Sequence, residues 1–253
     1  MTMFMMPIVF ILLLLGQASW VESAQPDTGP VIYLLPGQGA DCRIFNKIVF
    51  PYDTVHLEFP MPDKNSSLHE YAMRFVPRID TCHDFILIGV SLGGMICSEL
   101  ADTLDPDKII VISSAKCRNE LPGKYKFQKY IPLNQVIPQK TIYRGANFLA
   151  PRIEPERKTD SLFESMLGKK DPLYLKRSIN MITDWEKEGY DSSIVHIHGD
   201  GDGTIPIKHI AYDYLVPGGT HMMVYFRGPE INELIKQILM SPVIKNQPDP
   251  VLK

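Results

Sequence analysis

The chain has 253 residues, of which 45% are hydrophobic and 22% charged, and a formal net charge of −3. That is the balance of a folded globular protein, long enough for one core domain carrying an insertion. With a slight negative charge and no run of Lys or Arg, the chain cannot neutralise a row of phosphates, which argues against nucleic acid as a partner.

Met3 to Leu15 contains no charged residue and ends in Leu12-Leu13-Leu14-Leu15, with the small and polar residues Gly16, Gln17, Ala18 and Ser19 after it. The run is shorter than the roughly 20 residues a membrane span needs, but it fits the apolar region of an export signal. No Lys or Arg precedes it, so the usual basic start is missing apart from the terminal amine. Residues 1–24 therefore read as a signal peptide or short anchor. The expected protein is exported, secreted or periplasmic, and any membrane association runs only through that segment. A buried amphipathic start is the remaining alternative.

From Val31 onward short apolar runs alternate with helical patterns. Val31-Ile32-Tyr33-Leu34-Leu35 ends at Pro36-Gly37, and Val55 to Phe59 ends at Pro60. Between Ser67 and Ile79, apolar residues at Leu68, Tyr71, Ala72, Phe75 and Ile79 have the spacing of one helix face. Asn65-Ser66-Ser67 is a glycosylation sequon, but Asn65 or Ser66 reads better as the cap of that helix. Phe85-Ile86-Leu87-Ile88, Ile109-Ile110-Val111-Ile112 and Ile194-Val195-His196-Ile197 are apolar-rich runs of the kind expected of parallel strands buried on both faces. Leu92 to Leu104 reads as a helix stopped by Asp105-Pro106. The pattern predicts an α/β fold, a mostly parallel sheet flanked by helices, over residues 25–253.

The strand pattern lapses over about 118–185, where a Pro-rich start gives way to helices. Asp160 can cap a helix through Leu162, Phe163, Met166 and Leu167 that Gly168 ends, and Asp171-Pro172 is an N-cap with Pro at the first helical position. This insertion is expected to be a helical cap, with Tyr125, Phe127, Tyr130, Phe148, Phe163 and Met166 shaping an apolar pocket. Cys42, Cys82, Cys97 and Cys117 could pair in an oxidising compartment, but they contain no C-x-x-C that would favour zinc. Cys97 falls in an apolar helical pattern and reads as a buried thiol.

The chemical signal is Gly89-Val90-Ser91-Leu92-Gly93, which leaves an apolar strand and enters a helix. That context makes Ser91 the candidate nucleophile on a tight strand–turn–helix elbow, with Gly89, Gly93 and Gly94 allowing the two backbones to approach. A serine hydroxyl needs an adjacent base. His198-Gly199-Asp200-Gly201-Asp202-Gly203 begins where the Ile194–Ile197 strand ends, so its carboxylates lie at the same sheet edge as Ser91. After it come only His209, read as solvent-facing, and His221, which follows a strand candidate at Tyr212–Val216 and the turn Pro217-Gly218-Gly219-Thr220. His196 and His198 read as structural. The expected set is Ser91, Asp202 and His221, with Asp200 holding the Gly-rich loop by accepting its N–H groups. An oxyanion needs two donors, assigned to the backbone N–H groups of Leu92 and of Gln38 in the loop Pro36-Gly37-Gln38-Gly39.

These motifs together resemble the α/β-hydrolase superfamily, through the elbow at Ser91, His198-Gly199 with Asp202 and Ile205-Pro206, and Gly218-Gly219-Thr220-His221. The resemblance spans roughly Val31 to Leu239. It implies an esterase, lipase, thioesterase or related acyl hydrolase acting on a small-molecule acyl substrate, with no metal and no organic cofactor. Acyl transfer or haloperoxidase-like chemistry on the same three residues, or a binding protein of this fold, are the alternatives. Pro36 stands where many members of the superfamily have His. The short stretch between Asp202 and His221 leaves room for only about a turn of helix.

Overall fold

Apolar runs that satisfy a strand on both faces become the interior of one sheet. In the computed structural model, which describes residues 29–123, 125, 137–153, 160–168 and 171–242, six strands are present among the described residues. They are β1 (Val31–Leu35), β2 (Thr54–His56), β3 (Phe85–Val90), β4 (Lys108–Ile112), β5 (Ile194–Gly199) and β6 (Tyr214–Val216). Their order is β2-β1-β3-β4-β5-β6, and every pairing is parallel. Among the described residues, the helices with defined bounds are α1 (Leu68–Met73), α2 (Leu92–Leu100), α3 (Gln139–Ile153), α4 (Ser161–Gly168), α5 (Pro172–Thr183), α6 (Met223–Phe226) and α7 (Gly228–Met240).

Alternate strand residues divide between two apolar layers, as side chains of a strand must. Tyr33, Leu35, Phe85 and Leu87 pack with Leu68, Tyr71, Phe75, Met95 and Ile96 of the α1–α2 side. Ile32, Leu34, Ile86 and Ile88 pack with Tyr225, Ile231, Ile235 and Ile238 of the α6–α7 side. Because all strands run the same way, their carboxyl ends share one edge, where ligands of open α/β sheets bind.

Several boundaries differ from the sequence reading: helix α2 ends at Leu100, short of the expected Leu104, and β6 begins at Tyr214, not Tyr212. Helix α1 ends at Met73, and a 3-10 turn at Val76–Arg78 takes over, because Pro77 lacks the N–H that a longer helix would use. Its cap is Ser67, not Asn65 or Ser66. Ser67 Oγ accepts from Glu70 N at 3.1 Å, and Glu70 Oε2 accepts from Ser67 N at 2.8 Å. Asn65 instead turns the preceding loop with φ 66. Strand β2 stops at His56 because its neighbour β1 ends at Leu35, followed by Pro36, which has no donor. The four cysteines are unpaired: Cys42 and Cys82 are exposed, Cys97 and Cys117 buried. Residues 1–28, which carry the expected signal, lie outside the described residues.

The insertion between β4 and β5 is anchored in both layers. Phe163 and Met166 of α4 enter the α6–α7 layer, while Met181, Ile182 and Trp185 enter the α1–α2 layer. Its capping signals operate as read: Asp160 Oδ1 accepts from Phe163 N at 2.9 Å, and Asp171 Oδ1 accepts from Leu173 N at 2.6 Å. The pocket residues nominated from the sequence divide differently. Phe148 is 66% exposed, Phe127 and Tyr130 lie outside the described residues, and Phe163 is fully buried against the rings of Tyr225 and Phe226, at 5.3 and 4.7 Å between centroids. Phe163 is thus a core residue, and a pocket role for it is withdrawn. Replacing Phe163 with Ala is expected to cost about 3–5 kcal/mol of stability, read from the urea midpoint at unchanged m-value. A loss below about 1 kcal/mol would contradict this packing.

Candidate active site

The elbow follows from how closely three backbones meet. A Cβ built on Gly89 would lie 2.4 Å from the Gly93 carbonyl oxygen, and one on Gly93 would lie 2.2 Å from that of Leu35. Strand β3, helix α2 and the end of β1 therefore touch main chain to main chain. The turn between them forces Ser91 to φ 52, ψ −118, a region that L-residues with a side chain rarely occupy. Strain of this kind persists only where the surroundings over-determine it. Here Ser91 N donates to Ile112 O at 3.0 Å, and Ser91 O accepts from Met95 N at 3.1 Å and from Ser114 Oγ at 2.7 Å.

Three side chains from separate elements converge above the sheet edge. Ser91 leaves β3, Asp202 leaves β5, and His221 follows the turn after β6. His221 Nε2 lies 2.9 Å from Ser91 Oγ, and Nδ1 lies 2.8 Å from Asp202 Oδ2. Their relative exposures are 9%, 3% and 5%, so the bonds form largely out of water, where charge–dipole terms are strong. Asp202 Oδ1 accepts from Thr204 N and Ile205 N, each at 2.8 Å. Burial alone would raise the Asp202 carboxyl. The charge and hydrogen bond of His221 and the Ile205 amide outweigh it and bring the carboxyl below its ordinary value. Tyr125 is held protonated, its phenol pushed up by burial and by the Asp202 charge. Asp200 stays outside this group and accepts from Gly218 N at 2.6 Å, joining the β5 loop to the turn before His221. His209 is exposed on the 3-10 turn Ile207–His209, the single turn of helix that the short spacing allows.

The nominated donors occupy the expected loops. Leu92 is the first residue of α2, so its N–H has no partner one turn back and points out of the helix start. The loop after β1 lies on Ser91, since a Cβ on Gly37 would be 3.5 Å from that of Ser91. The sequence offered no sign of the next contact. Gln38 Nε2 donates to Ser178 Oγ at 2.5 Å, and the fully buried Ser178 hydroxyl passes its own hydrogen to Tyr174 O at 2.8 Å. Helix α5 of the insertion is thereby fastened to the loop that faces Ser91. Ser114, which braces the elbow, was equally invisible, because a lone hydroxyl after a strand carries no pattern.

A cleft of about 370 Å³ borders this loop, with Pro36, Gly39, His56, Met61, Met166 and Tyr174 among its walls. A larger one of about 1070 Å³ lies between α1, the far end of α2 and α5, and none of Ser91, Asp202 and His221 lines it. None of the three lines the smaller cleft either, which adjoins the site only through Pro36 and Gly39 of the loop that lies on Ser91. Among the described residues no group of three or more His, Cys, Asp or Glu side chains is placed to hold a metal ion.

No family model matches the chain, and no curated protein matches it. Solved structures do. A hydrolase from Pseudomonas aeruginosa superposes with TM-score 0.67 at 14% identity, over 84% of this chain and 90% of that one. A thermophilic esterase from Thermogutta terrifontis gives 0.64 at 12%, over 84% and 90%. The enol-lactonase from Burkholderia xenovorans gives 0.64 at 14%, over 84% and 92%. The chain has the α/β-hydrolase fold, a parallel sheet flanked by helices, as its sequence motifs had suggested.

The close approach at the elbow is directly testable. Gly93→Ala would drive a Cβ into the Leu35 carbonyl, whereas a Cβ on Gly123 meets nothing within 4 Å. Gly93→Ala is expected to yield little folded protein, and Gly123→Ala to melt within a few degrees of the parent, both followed by thermal unfolding. Equal melting of the two variants would refute the contact.

Proposed function

We propose that the protein is a serine hydrolase that cleaves an ester or other acyl bond through an acyl-enzyme on Ser91. The observation that carries this reading is the pair of bonds made by His221, to Ser91 Oγ at 2.9 Å and to Asp202 Oδ2 at 2.8 Å. With its Nδ1–H given to Asp202, the imidazole has Nε2 free of hydrogen to accept the Ser91 proton as Oγ attacks the acyl carbon. The carbonyl oxygen becomes an oxyanion, for which the N–H groups of Leu92 and Gln38 are the proposed donors. His221 then gives the proton to the leaving alcohol, and the acyl group stays on Oγ. Water repeats the sequence, losing its proton to His221 and releasing the acid. Asp202 keeps the imidazole in the tautomer this needs and stabilises the imidazolium. The insertion is proposed as a cap, supported by its anchorage in both layers and by the Gln38–Ser178 bond.

A screen of the purified protein against esters of increasing acyl length, with fluorophosphonate labelling, tests the reading. Ser91→Ala is expected to lose labelling and to reduce kcat about 10⁴-fold or more with the fold intact. Turnover unchanged in that variant would end the assignment. Asp202→Asn is expected to lower kcat about 10⁴-fold with little change in KM. Asp200→Asn is expected to leave kcat in place and cost at most about 1 kcal/mol of stability, because the amide oxygen still accepts from Gly218 N but without the charge. If Asp200→Asn loses the activity and Asp202→Asn keeps it, the acid has been assigned to the wrong carboxylate.

A further inference from the structure

Beside Asp202 lie two imidazoles that the reaction above does not use. His196 and His198 point from the same face of β5, and both are completely buried. His198 Nε2 is 2.9 Å from the carbonyl oxygen of Ile205, and His198 Nδ1 is 3.1 Å from His196 Nε2. These contacts dictate where the hydrogens are. A carbonyl only accepts, so His198 carries its hydrogen on Nε2. For a neutral ring, Nδ1 is then bare and must accept, so His196 carries its hydrogen on Nε2 as well. His196 Nδ1 is left bare, and among the described residues it has no hydrogen-bond partner. The nearby Ala211 carbonyl accepts from the Lys116 ammonium.

We propose that His198 is a positioning residue for the triad acid: its Nε2–H holds the Ile205 carbonyl, closing the turn whose Thr204 and Ile205 amides clamp Asp202 Oδ1 and leave Oδ2 to His221. This rests on the serine-hydrolase reading above. The distance from His198 Nε2 to Asp202 Oδ2 is 3.7 Å, too long for a hydrogen bond but short enough that a charged His198 would compete with His221 for the carboxylate. The arrangement prevents that charge. A second proton on His198 would have to go on Nδ1, which already receives the His196 hydrogen. Accepting it would turn His196 to its other tautomer, with Nδ1–H towards the carbonyl that Lys116 also uses, and would place an imidazolium near the Lys116 ammonium. The surroundings act in the same sense: burial first, then His221 and Lys116, hold His198 below the ordinary histidine value, against the opposing pull of the Ile205 bond and Asp202. Burial, Lys116 and His198 hold His196 well below it. On the remaining side, Asp213 touches the backbone, accepting from His196 N at 2.7 Å, and Glu120 lies 3.5 Å from Lys116 Nζ. Two neutral imidazoles thus supply a donor without a charge, and Asp202 keeps its charge for His221 alone.

Two measurements test this, after wild-type turnover and fluorophosphonate labelling have established the underlying activity by themselves. The first is the pH profile of kcat/KM in folded His198→Leu and His198→Gln. Leu removes the donor, whereas Gln puts an amide N–H near the position of Nε2. His198→Leu is expected to lower kcat by about 10–100-fold with KM little changed, and to move the acid limb to lower pH, because a loosened carboxylate favours the His221 imidazolium less. His198→Gln should recover most of both. A His198→Leu enzyme that is folded and keeps the parental kcat and acid limb overturns the proposal, as does a loss that Gln fails to rescue. The second measurement needs no variant that folds poorly. Histidine ¹⁵N shifts of the wild-type protein should show His196 and His198 neutral and protonated at Nε2 from pH 5 to 8. An imidazolium or an Nδ1–H form of His198 in that range overturns it independently of any activity.

Discussion

Main-chain contact at the elbow is the constraint on which the rest depends. Strand β3 and helix α2 approach so closely that no side chain fits at Gly89 or Gly93, and the carbonyl of Leu35 closes the third side. That geometry fixes the exit of Ser91 from the sheet at a strained φ of 52 and stacks the start of α2 beneath it. The strain is held by ordinary bonds, from Ile112, Met95 and Ser114, each belonging to an element already packed in the core. The cost of holding one residue in such a conformation, on the order of 1–3 kcal/mol, is small beside the burial of two apolar layers.

Above the elbow the governing fact is burial of charge. A carboxylate as enclosed as Asp202 is stable only if every lone pair is used, and here each oxygen has its task. Oδ1 takes two amides of its own turn and Oδ2 takes His221. The neutral histidine pair extends that logic one shell further without adding a competing cation. Among Asp202, His221, His198 and His196 only the carboxylate carries charge, and the nearest other buried charges, Lys116 and Glu120, pair with each other.

Among the described residues, a polar contact joins the insertion to the loop that faces Ser91. Gln38 stands on the loop that lies over Ser91, and its amide ends on the buried hydroxyl of Ser178 in α5. Helix α5 is thereby tied to the loop whose N–H is the proposed oxyanion donor. Phe163, by contrast, locks α4 to the aromatic rings that follow His221 and leaves the cleft to Met166 and Tyr174. One insertion thus combines anchorage in the core with a direct hold on the site.

The parallel sheet, the elbow and the meeting of Ser91, Asp202 and His221 at one sheet edge were legible in the sequence because each rests on local chemistry. Unbroken apolar runs report burial on both faces, glycines at 89, 93 and 94 report a close approach, and Asp171-Pro172 reports a helix start. The cap of α1 was misassigned by one or two residues, since Asn65, Ser66 and Ser67 all have side chains that can cap and only the backbone conformation chooses Ser67. What the sequence could not carry was any relation between residues far apart in the chain. Which aromatic residues of the insertion fill the core, how Gln38 meets Ser178, and why His198 stays neutral beside Asp202 depend on distances between elements. Those distances are set by packing of the two layers, and packing is a property of the whole fold that no local pattern records.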